Sequence, residues 1–188
     1  MRLLEWFHRE PWKRPLAVAV SLVGCLALVH ANWFHPVVRF GHPAANQIAL
    51  LLALTLPWLA ILPVALLPRP WARVVGLVLL LPPLAYSAFF APFIAMEIED
   101  TVAHGVDRAF TPIATMPMNG YRVRIFRTDC GATCAYGIVL RQERQLLPGI
   151  YLVRQLEGFY PAEDATYRVL GRDSLQVNGR LYALRPLP

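Results

Sequence analysis

Two cysteines separated by three residues form the most specific chemical pattern in this chain. They are Cys130 and Cys134, which enclose the sequence Gly-Ala-Thr in a predicted turn between two strands. This spacing fits a disulfide that staples a small domain in an oxidising compartment. The alternatives are a redox couple or a copper site. Because thioredoxin-like proteins place two residues between their cysteines, within a βαβ pattern that is not seen here, we predict a structural disulfide.

Histidines form a second group of candidate metal ligands. His30, His35 and His42 surround the end of the first apolar run, where they would suit a metal, a pH sensor or a haem contact. Their intervals of five and seven residues do not keep them on one helical face. We therefore interpret them as interfacial side chains.

Two further patterns lie after the last apolar run. His104 has Asp100 and Asp107 at helical spacing, which would suit a carboxylate-assisted metal ligand, although a solvated helix face has the same pattern. Met116 and Met118 flank a proline in a predicted linker and resemble a methionine-rich copper site only faintly. We expect no metal and no cofactor.

Arginines dominate the charge of the C-terminal half. Residues 97–188 carry eleven arginines, ten acidic residues and no lysine. Alternate strand positions share a face, so guanidinium groups there would suit carboxylates, phosphate headgroups or an acidic partner. The alternative is a solvated face balanced by the acids. The predicted partner-binding residues are Arg122, Arg124, Arg141, Arg154 and Arg168.

The same segment lacks the residues that hydrolases require. Its only serine is Ser174 and its only histidine is His104, so neither a Ser-His-Asp triad nor a Ser/Lys dyad can be assembled from residues 97–188. We therefore predict a protein that is not an enzyme.

Three apolar runs must position these groups. They are Leu16–Phe34, Ile48–Leu67 and Val74–Ala95, and the last has 22 residues without a formal charge. At 1.5 Å per residue it reaches about 33 Å, enough to cross a bilayer core. We predict three membrane helices within residues 16–95, with kinks at the prolines of the second and third.

The first run also contains a processing motif. Leu22-Val23-Gly24-Cys25 resembles the lipobox of bacterial lipoproteins, which implies lipidation of Cys25. The apolar run continues for nine residues beyond this cysteine, whereas lipoproteins usually turn polar there. We therefore predict an uncleaved helix.

The cations set the expected orientation. The N-terminal tail to Arg14 has four Lys or Arg residues, the turn Pro68–Arg73 has two, and the loop His35–Gln47 has one. The positive-inside rule then places the N-terminus in the cytoplasm and residues 97–188 in the periplasm of a bacterium, with an interfacial segment over residues 1–15. Since the basic excess flanks the apolar runs, we predict contact with membrane lipid and no nucleic-acid binding.

The polar half is predicted to be a small β-domain. Met96–Phe110 has the spacing of an amphipathic helix, and Thr111–Gly120 is predicted to be a linker. Strand patterns then alternate with turns, of which Asn178-Gly179 is the strongest hairpin signal. The predicted strands are Tyr121–Thr128, Tyr136–Gln142, Ile150–Leu156, Thr166–Leu170, Leu175–Val177 and Arg180–Leu184.

The predicted fold class is therefore an α+β membrane protein. Three transmembrane helices precede an antiparallel β-domain over residues 121–188, in the form of a sheet, a sandwich or a partly open barrel, with a short amphipathic helix at its base. The leading functional hypothesis is a membrane-anchored binding protein, either a subunit of an envelope complex or an immunity-type protein, with an envelope protein as partner. The alternatives are a redox or copper-handling protein that uses Cys130 and Cys134, and a component of an oligomeric transporter or channel.

Overall fold

The computed structural model describes residues 13–35, 37–118, 120–129 and 135–185, with only the backbone of Phe34. The predicted interfacial segment before Lys13 lies outside these residues. The described chain contains three helices and eight strands. They are α1 (Lys13–Phe34), β1 (Val38–Phe40), α2 (Pro43–Ala65), α3 (Pro70–His104), β2 (Phe110–Met118), β3 (Tyr121–Thr128), β4 (Gly137–Leu147), β5 (Ile150–Phe159), β6 (Tyr167–Val169), β7 (Ser174–Val177) and β8 (Arg180–Ala183).

These elements form two compact units. The helical unit contains residues 13–33 and 47–98, and the sheet unit contains residues 34–46 and 99–185. The three apolar helices predicted from the sequence are present, and each is long and apolar enough to cross a membrane. α2 and α3 continue through their internal prolines. The protein is therefore of the α+β class, with three membrane-length helices and an antiparallel sheet domain.

The third helix is longer than its apolar run. It continues from Pro70 to His104, so residues 96–104 of the segment predicted as a separate amphipathic helix over 96–110 are the C-terminal part of α3, and the rest of that segment is not helical. Gly105 ends the helix with a φ of 71°, and its N–H donates to the carbonyl of Thr101. Only glycine adopts this backbone conformation without strain, which is why the helix ends there.

Gly76 permits a close approach of α3 to α2. A Cβ atom at this position would lie 2.7 Å from Cγ1 of Val64, a side chain that is 2% exposed. Gly76→Ala is therefore expected to destabilise the helical unit by about 1–3 kcal/mol, because a branched side chain must move. Gly24→Ala is the matched control, since nothing lies within 4 Å of its Cβ. Thermal unfolding in detergent should show a lower midpoint for Gly76→Ala alone, and equal midpoints would contradict this packing.

The sheet unit contains two antiparallel sheets. The larger one has the strand order β1-β5-β4-β3-β2, and the smaller one has the order β6-β7-β8. β1 comes from the segment between α1 and α2, which the sequence analysis treated as a loop; it pairs with β5 over Val38–Phe40. The side chain of Asn46 fixes this strand, because it accepts a hydrogen bond from the N–H of Phe40 and donates one to the carbonyl of the same residue.

The linker predicted over residues 111–120 is largely strand β2. Pro112 and Pro117 suggested a break in the chain, but β2 lies at the edge of the sheet and pairs only with β3. An edge strand tolerates proline because one side of its backbone needs no donor. Met118 and Tyr121 face each other across the turn, where Gly120 has a φ of 76°.

The remaining predicted strands are present, but β4 ends at Leu147 and β5 at Phe159, beyond their predicted ends at Gln142 and Leu156. β3 has the predicted bounds, and Asn178 and Gly179 join β7 to β8 with φ angles of 48° and 79°. Positive φ at both positions is the backbone of a type I′ hairpin turn, as the Asn-Gly pair predicts.

Both sheets contribute to one hydrophobic core. Buried side chains of β2, β3 and β4 meet those of β7 and the residue that follows β8. The core residues are Met116, Val123, Ile125, Ile138, Leu140, Leu175, Val177 and Leu184. They occupy one face of the five-stranded sheet, and the arginines of β3 alternate with them toward the opposite face.

Candidate functional site

The face of the five-stranded sheet opposite the core collects charged side chains from β3 and β4. Arg124 pairs directly with Arg141 across these strands, and Arg122 pairs with Glu143. Cross-strand partners point to the same face, so all four side chains are neighbours. Two arginines directly opposite each other are destabilising unless other groups compensate. Neighbouring groups must therefore offset the repulsion between Arg124 and Arg141.

A fourth arginine comes from β1. Arg39 pairs with Tyr151 of β5. The ring of Tyr151 lies on the same face, because the guanidinium carbon of Arg122 is 3.9 Å from its centroid. We call Arg39, Arg122, Arg124 and Arg141 the arginine cluster.

Glu143 is the carboxylate within the cluster. Its Oε2 atom accepts from Nε of Arg122 at 2.7 Å and lies 3.9 Å from Nη1 of Arg124. The Glu143 side chain is 6% exposed, against 30% for Arg122 and 22% for Arg124. Glu143 is thus a largely buried counter-ion that engages the two more exposed arginines.

Arg141 is the most buried member and has no acidic partner within ion-pair distance among the described residues. It is 8% exposed, and its Nε atom is buried without a hydrogen-bond acceptor. Its guanidinium carbon lies 4.5 Å from the ring centroid of Phe110 and 5.2 Å from that of Phe126. Burial, with a further contribution from Arg39, lowers the pKa of Arg141 to about 10. The aromatic faces stabilise the cation but supply no acceptor.

Asp107 is the second carboxylate that acts on the cluster. It accepts a hydrogen bond from the N–H of Ala109 at 2.9 Å and is near enough to attract Arg39 and Arg141. Burial raises the pKa of Asp107, and the backbone N–H groups and the two arginines oppose that rise. Burial lowers the pKa of Arg39 and of Arg124 as well. Four guanidinium groups thus face two carboxylates in this part of the described chain, a formal excess of two positive charges.

Two of the five predicted binding arginines lie elsewhere. Arg154 pairs with Gln142 and points toward the core face, where it donates to Gln142 Oε1 at 2.5 Å and to the carbonyl of Arg185 at 2.8 Å. Gln142 is fully buried, so Arg154 closes the end of the core. Arg168 lies in β6 of the smaller sheet and is exposed. Arg154 and Arg168 therefore do not share a face with the other three arginines, and binding of a partner by the five stays a prediction.

His104 is engaged by its neighbours on α3 and just after it. Nδ1 lies 3.1 Å from a carboxylate oxygen of Asp100, and Nε2 lies 2.8 Å from Nη2 of Arg108. Arg108 also pairs with Asp100 at 3.2 Å. The helical spacing grouped Asp107 with His104, but in the structure the carboxylate of Asp107 acts on Arg39 and Arg141. Both ring nitrogens of His104 are thus occupied.

The other candidate metal ligands do not come together. His30 lies in the helical unit with Nδ1 2.8 Å from the hydroxyl of Tyr86, while His35 and His42 are exposed. Met116 is a core residue and Met118 packs against the core, which corrects their interpretation as linker side chains. Among the described residues no three His, Cys, Asp or Glu side chains are grouped in a way that would hold a metal ion.

Cys130 and Cys134 lie outside the described residues, so their disulfide stays a prediction. Cys25 is a free, exposed thiol on α1, and the helix continues past it to Phe34. If the disulfide forms, alkylation of the denatured, unreduced protein should modify one cysteine, and prior reduction should raise the number to three. Intact-mass measurement counts the adducts, and three adducts without reductant would refute the disulfide.

Comparison with known proteins finds no matching family, no matching curated protein and no matching solved structure. The function must therefore be inferred from the geometry of the chain itself, an α+β protein with three membrane-length helices and a sheet face rich in arginine.

Arg39 and the role of Asp107 are not among the site residues predicted from the sequence. Arg39 stands in Val37-Val38-Arg39-Phe40, a short β-branched and aromatic run that ends at a glycine, which is a recognisable but weak strand signal. Nothing local indicates that its pairing partner lies in β5. Asp107 is followed by a turn rather than by more helix, and Gly105 is the signal that would have separated it from His104.

Proposed function

We propose that this chain is a non-enzymatic, membrane-anchored binding protein whose sheet unit recognises an acidic group through the arginine cluster. The observation that carries the proposal is Arg141, a buried cation with no carboxylate within ion-pair distance and no acceptor for its Nε among the described residues. A buried charge without an ion-pair partner is unfavourable, so an anionic ligand would provide the counter-ion and hydrogen-bond acceptor that Arg141 lacks. The two sheets would form a small sandwich that presents this face.

The proposed location is a bacterial inner membrane, with the three helices spanning it and the sheet unit in the periplasm. Lys13, Arg14, Arg69 and Arg73 flank the ends assigned to the cytoplasm. Arg39, the cation of the opposite loop, belongs to the arginine cluster and so has a structural reason to be there. Pairing of β1 with β5 also requires both segments on one side, which two spanning helices between them would provide.

The proposed partner is a second envelope protein. In that setting the chain would act as an accessory subunit of an envelope complex or as an immunity-type protein that blocks a toxin. Binding rather than catalysis is proposed for the sheet unit because His104, the histidine of its C-terminal segment, is held by Asp100 and Arg108. A C-terminal alkaline phosphatase fusion should be active if the orientation is right, and an active cytoplasmic reporter at the same end would contradict it.

Partner capture tests the proposal. The full-length protein would be cross-linked in native membranes, purified in mild detergent and analysed by mass spectrometry. A stoichiometric envelope protein should be recovered with the wild type and lost with Arg124→Gln/Arg141→Met. It should be retained with Arg168→Gln/Arg180→Gln, which removes the same number of arginines from the smaller sheet. Recovery that is equal for both double variants, with both folded by circular dichroism, would exclude the arginine cluster as the binding site.

A further inference from the structure

We propose that the group recognised by the arginine cluster is a phosphate, and specifically a phosphomonoester. This inference rests on the proposed function and names the chemistry of its ligand. It combines the charge of the cluster, the orientation of its donors and its accessibility to solvent.

The charge of the cluster matches a phosphomonoester better than a carboxylate. The four arginines face Glu143 and Asp107, which leaves a formal excess of two positive charges among the described residues. A phosphomonoester carries about −1.5 to −2 at pH 7 and so neutralises nearly all of this excess. A carboxylate carries one negative charge and would leave the buried site cationic. A phosphate also has three terminal oxygens, enough for several guanidinium groups at once.

Aromatic rings pack against two of the guanidinium groups and restrict their orientation. Arg124 lies 4.6 Å from the centroid of Phe126, and Arg141 lies over Phe110 and Phe126. The Nε atoms of Arg124 and Arg141 are both buried without an acceptor. Two neighbouring guanidinium forks with unused donors are suited to bidentate contacts with phosphate oxygens.

Glu143 holds one side of this site in place. Its carboxylate accepts a hydrogen bond from Nε of Arg122 at 2.7 Å, and the ring centroid of Tyr151 lies 3.9 Å from the guanidinium carbon of the same arginine. Arg122 is thereby held at the more exposed end of the cluster, with 30% of its side chain accessible, while Arg141 forms the buried end at 8%. A phosphate would enter past Arg122 and Arg124 and reach Arg141 last.

Two sources could supply a phosphomonoester to this site. Arg39 follows the end of α1 by five residues, which span at most about 18 Å when extended, so a lipid headgroup is within reach of the chain segment that carries it. A soluble phosphate or phosphomonoester is the other source. The recognition chemistry is the same for both, and a binding experiment can separate them.

The test uses the full-length protein in phosphatidylcholine nanodiscs, in buffer free of phosphate. Inorganic phosphate should raise the unfolding midpoint of the wild type, and acetate at equal ionic strength should not. Arg141→Gln should weaken phosphate binding about tenfold or more, because hydrogen bonds to an ionised group are lost. Arg168→Gln, on the smaller sheet, should leave it unchanged. An equal response to acetate, or an unchanged response in Arg141→Gln, overturns the inference.

The lipid composition then identifies the source. Phosphatidic acid in the nanodisc, a phosphomonoester, should raise the midpoint and remove the response to added phosphate if the ligand is a headgroup. If phosphatidic acid has no effect while inorganic phosphate does, the ligand is a soluble phosphate. Phosphatidylglycerol is the control, and an effect equal to that of phosphatidic acid would overturn the preference for a monoester.

Failure of this inference is distinguishable from failure of the proposed function. If no phosphate probe binds but partner capture still depends on Arg124 and Arg141, the ligand is an acidic protein group, and only the phosphate inference fails. If neither phosphate nor the partner depends on these arginines, both fail.

Discussion

Replacing Arg141 by methionine is expected to stabilise the sheet unit and, at the same time, to abolish anion binding. Arg141 is 8% exposed, and among the described residues it has no carboxylate within ion-pair distance and no acceptor for its Nε atom. A pKa of about 10, against an ordinary value of 12.5, corresponds to about 3 kcal/mol against the charged form. Its contacts with Phe110 and Phe126 offset about 1–2 kcal/mol of this. The net effect of burying the cation is therefore unfavourable by about 1–2 kcal/mol.

Methionine preserves most of the volume of the side chain and removes the charge, which is often stabilising at a buried site. In phosphate-free detergent, Arg141→Met should therefore unfold several degrees above the wild type, since a domain of this size shifts by about 4–8 °C per kcal/mol. Far-ultraviolet circular dichroism follows the sheets. Arg168→Met is the control, because an exposed arginine should change the stability by less than about 0.5 kcal/mol. A lower midpoint for Arg141→Met would mean that the arginine stabilises the sheet unit. The main reason for placing a ligand next to it would then be lost.

Local patterns predicted those parts of the sheet unit that are determined locally. The bounds of β3 and the hairpin at Asn178 and Gly179 follow from side-chain alternation and from the φ angles that Asn-Gly favours. β1 is different, because a run of three residues is too short for periodicity, and Phe40 pairs with Ile150, far along the chain. The prolines of β2 led to the prediction of a linker, and they are tolerated in a strand because β2 lies at the edge of the sheet.

The composition of the site depends on a single β-bulge. Leu140 pairs with Glu157, but Arg141 pairs with Gln155, so β5 has one extra residue at this point. Without this bulge Arg154 would lie opposite Glu143 on the face of the arginine cluster. With it, Arg154 turns to the core face and meets Gln142. Because a shift of one residue moves every later side chain to the other face, counting alternate positions cannot predict which arginines share a face.

Glu143→Gln is expected to make the stability of the sheet unit depend more strongly on phosphate than it does in the wild type. The substitution removes the acceptor charge that Arg122 binds at 2.7 Å, and Asp107 remains as the carboxylate that attracts Arg39 and Arg141. Breaking a fully buried ion pair costs about 3–5 kcal/mol, and the partial exposure of Arg122 reduces this to about 2 kcal/mol. A ligand at a hundred times its dissociation constant returns about 2.7 kcal/mol. Phosphate should therefore restore most of the stability lost.

The control is Glu157→Gln, which weakens the more exposed pair with Arg180 at 3.5 Å and should cost less than about 1 kcal/mol with or without phosphate. Unfolding midpoints of both variants across a phosphate titration separate two accounts of the cluster. If phosphate stabilises Glu143→Gln more than it stabilises the wild type, and Glu157→Gln responds only as the wild type does, the charge of Glu143 and the charge of the ligand act on the same arginines. If Glu143→Gln is destabilised and phosphate has no effect, Glu143 completes a closed structural network. Arg141 would then be a buried cation that the surrounding aromatic rings stabilise without any ligand.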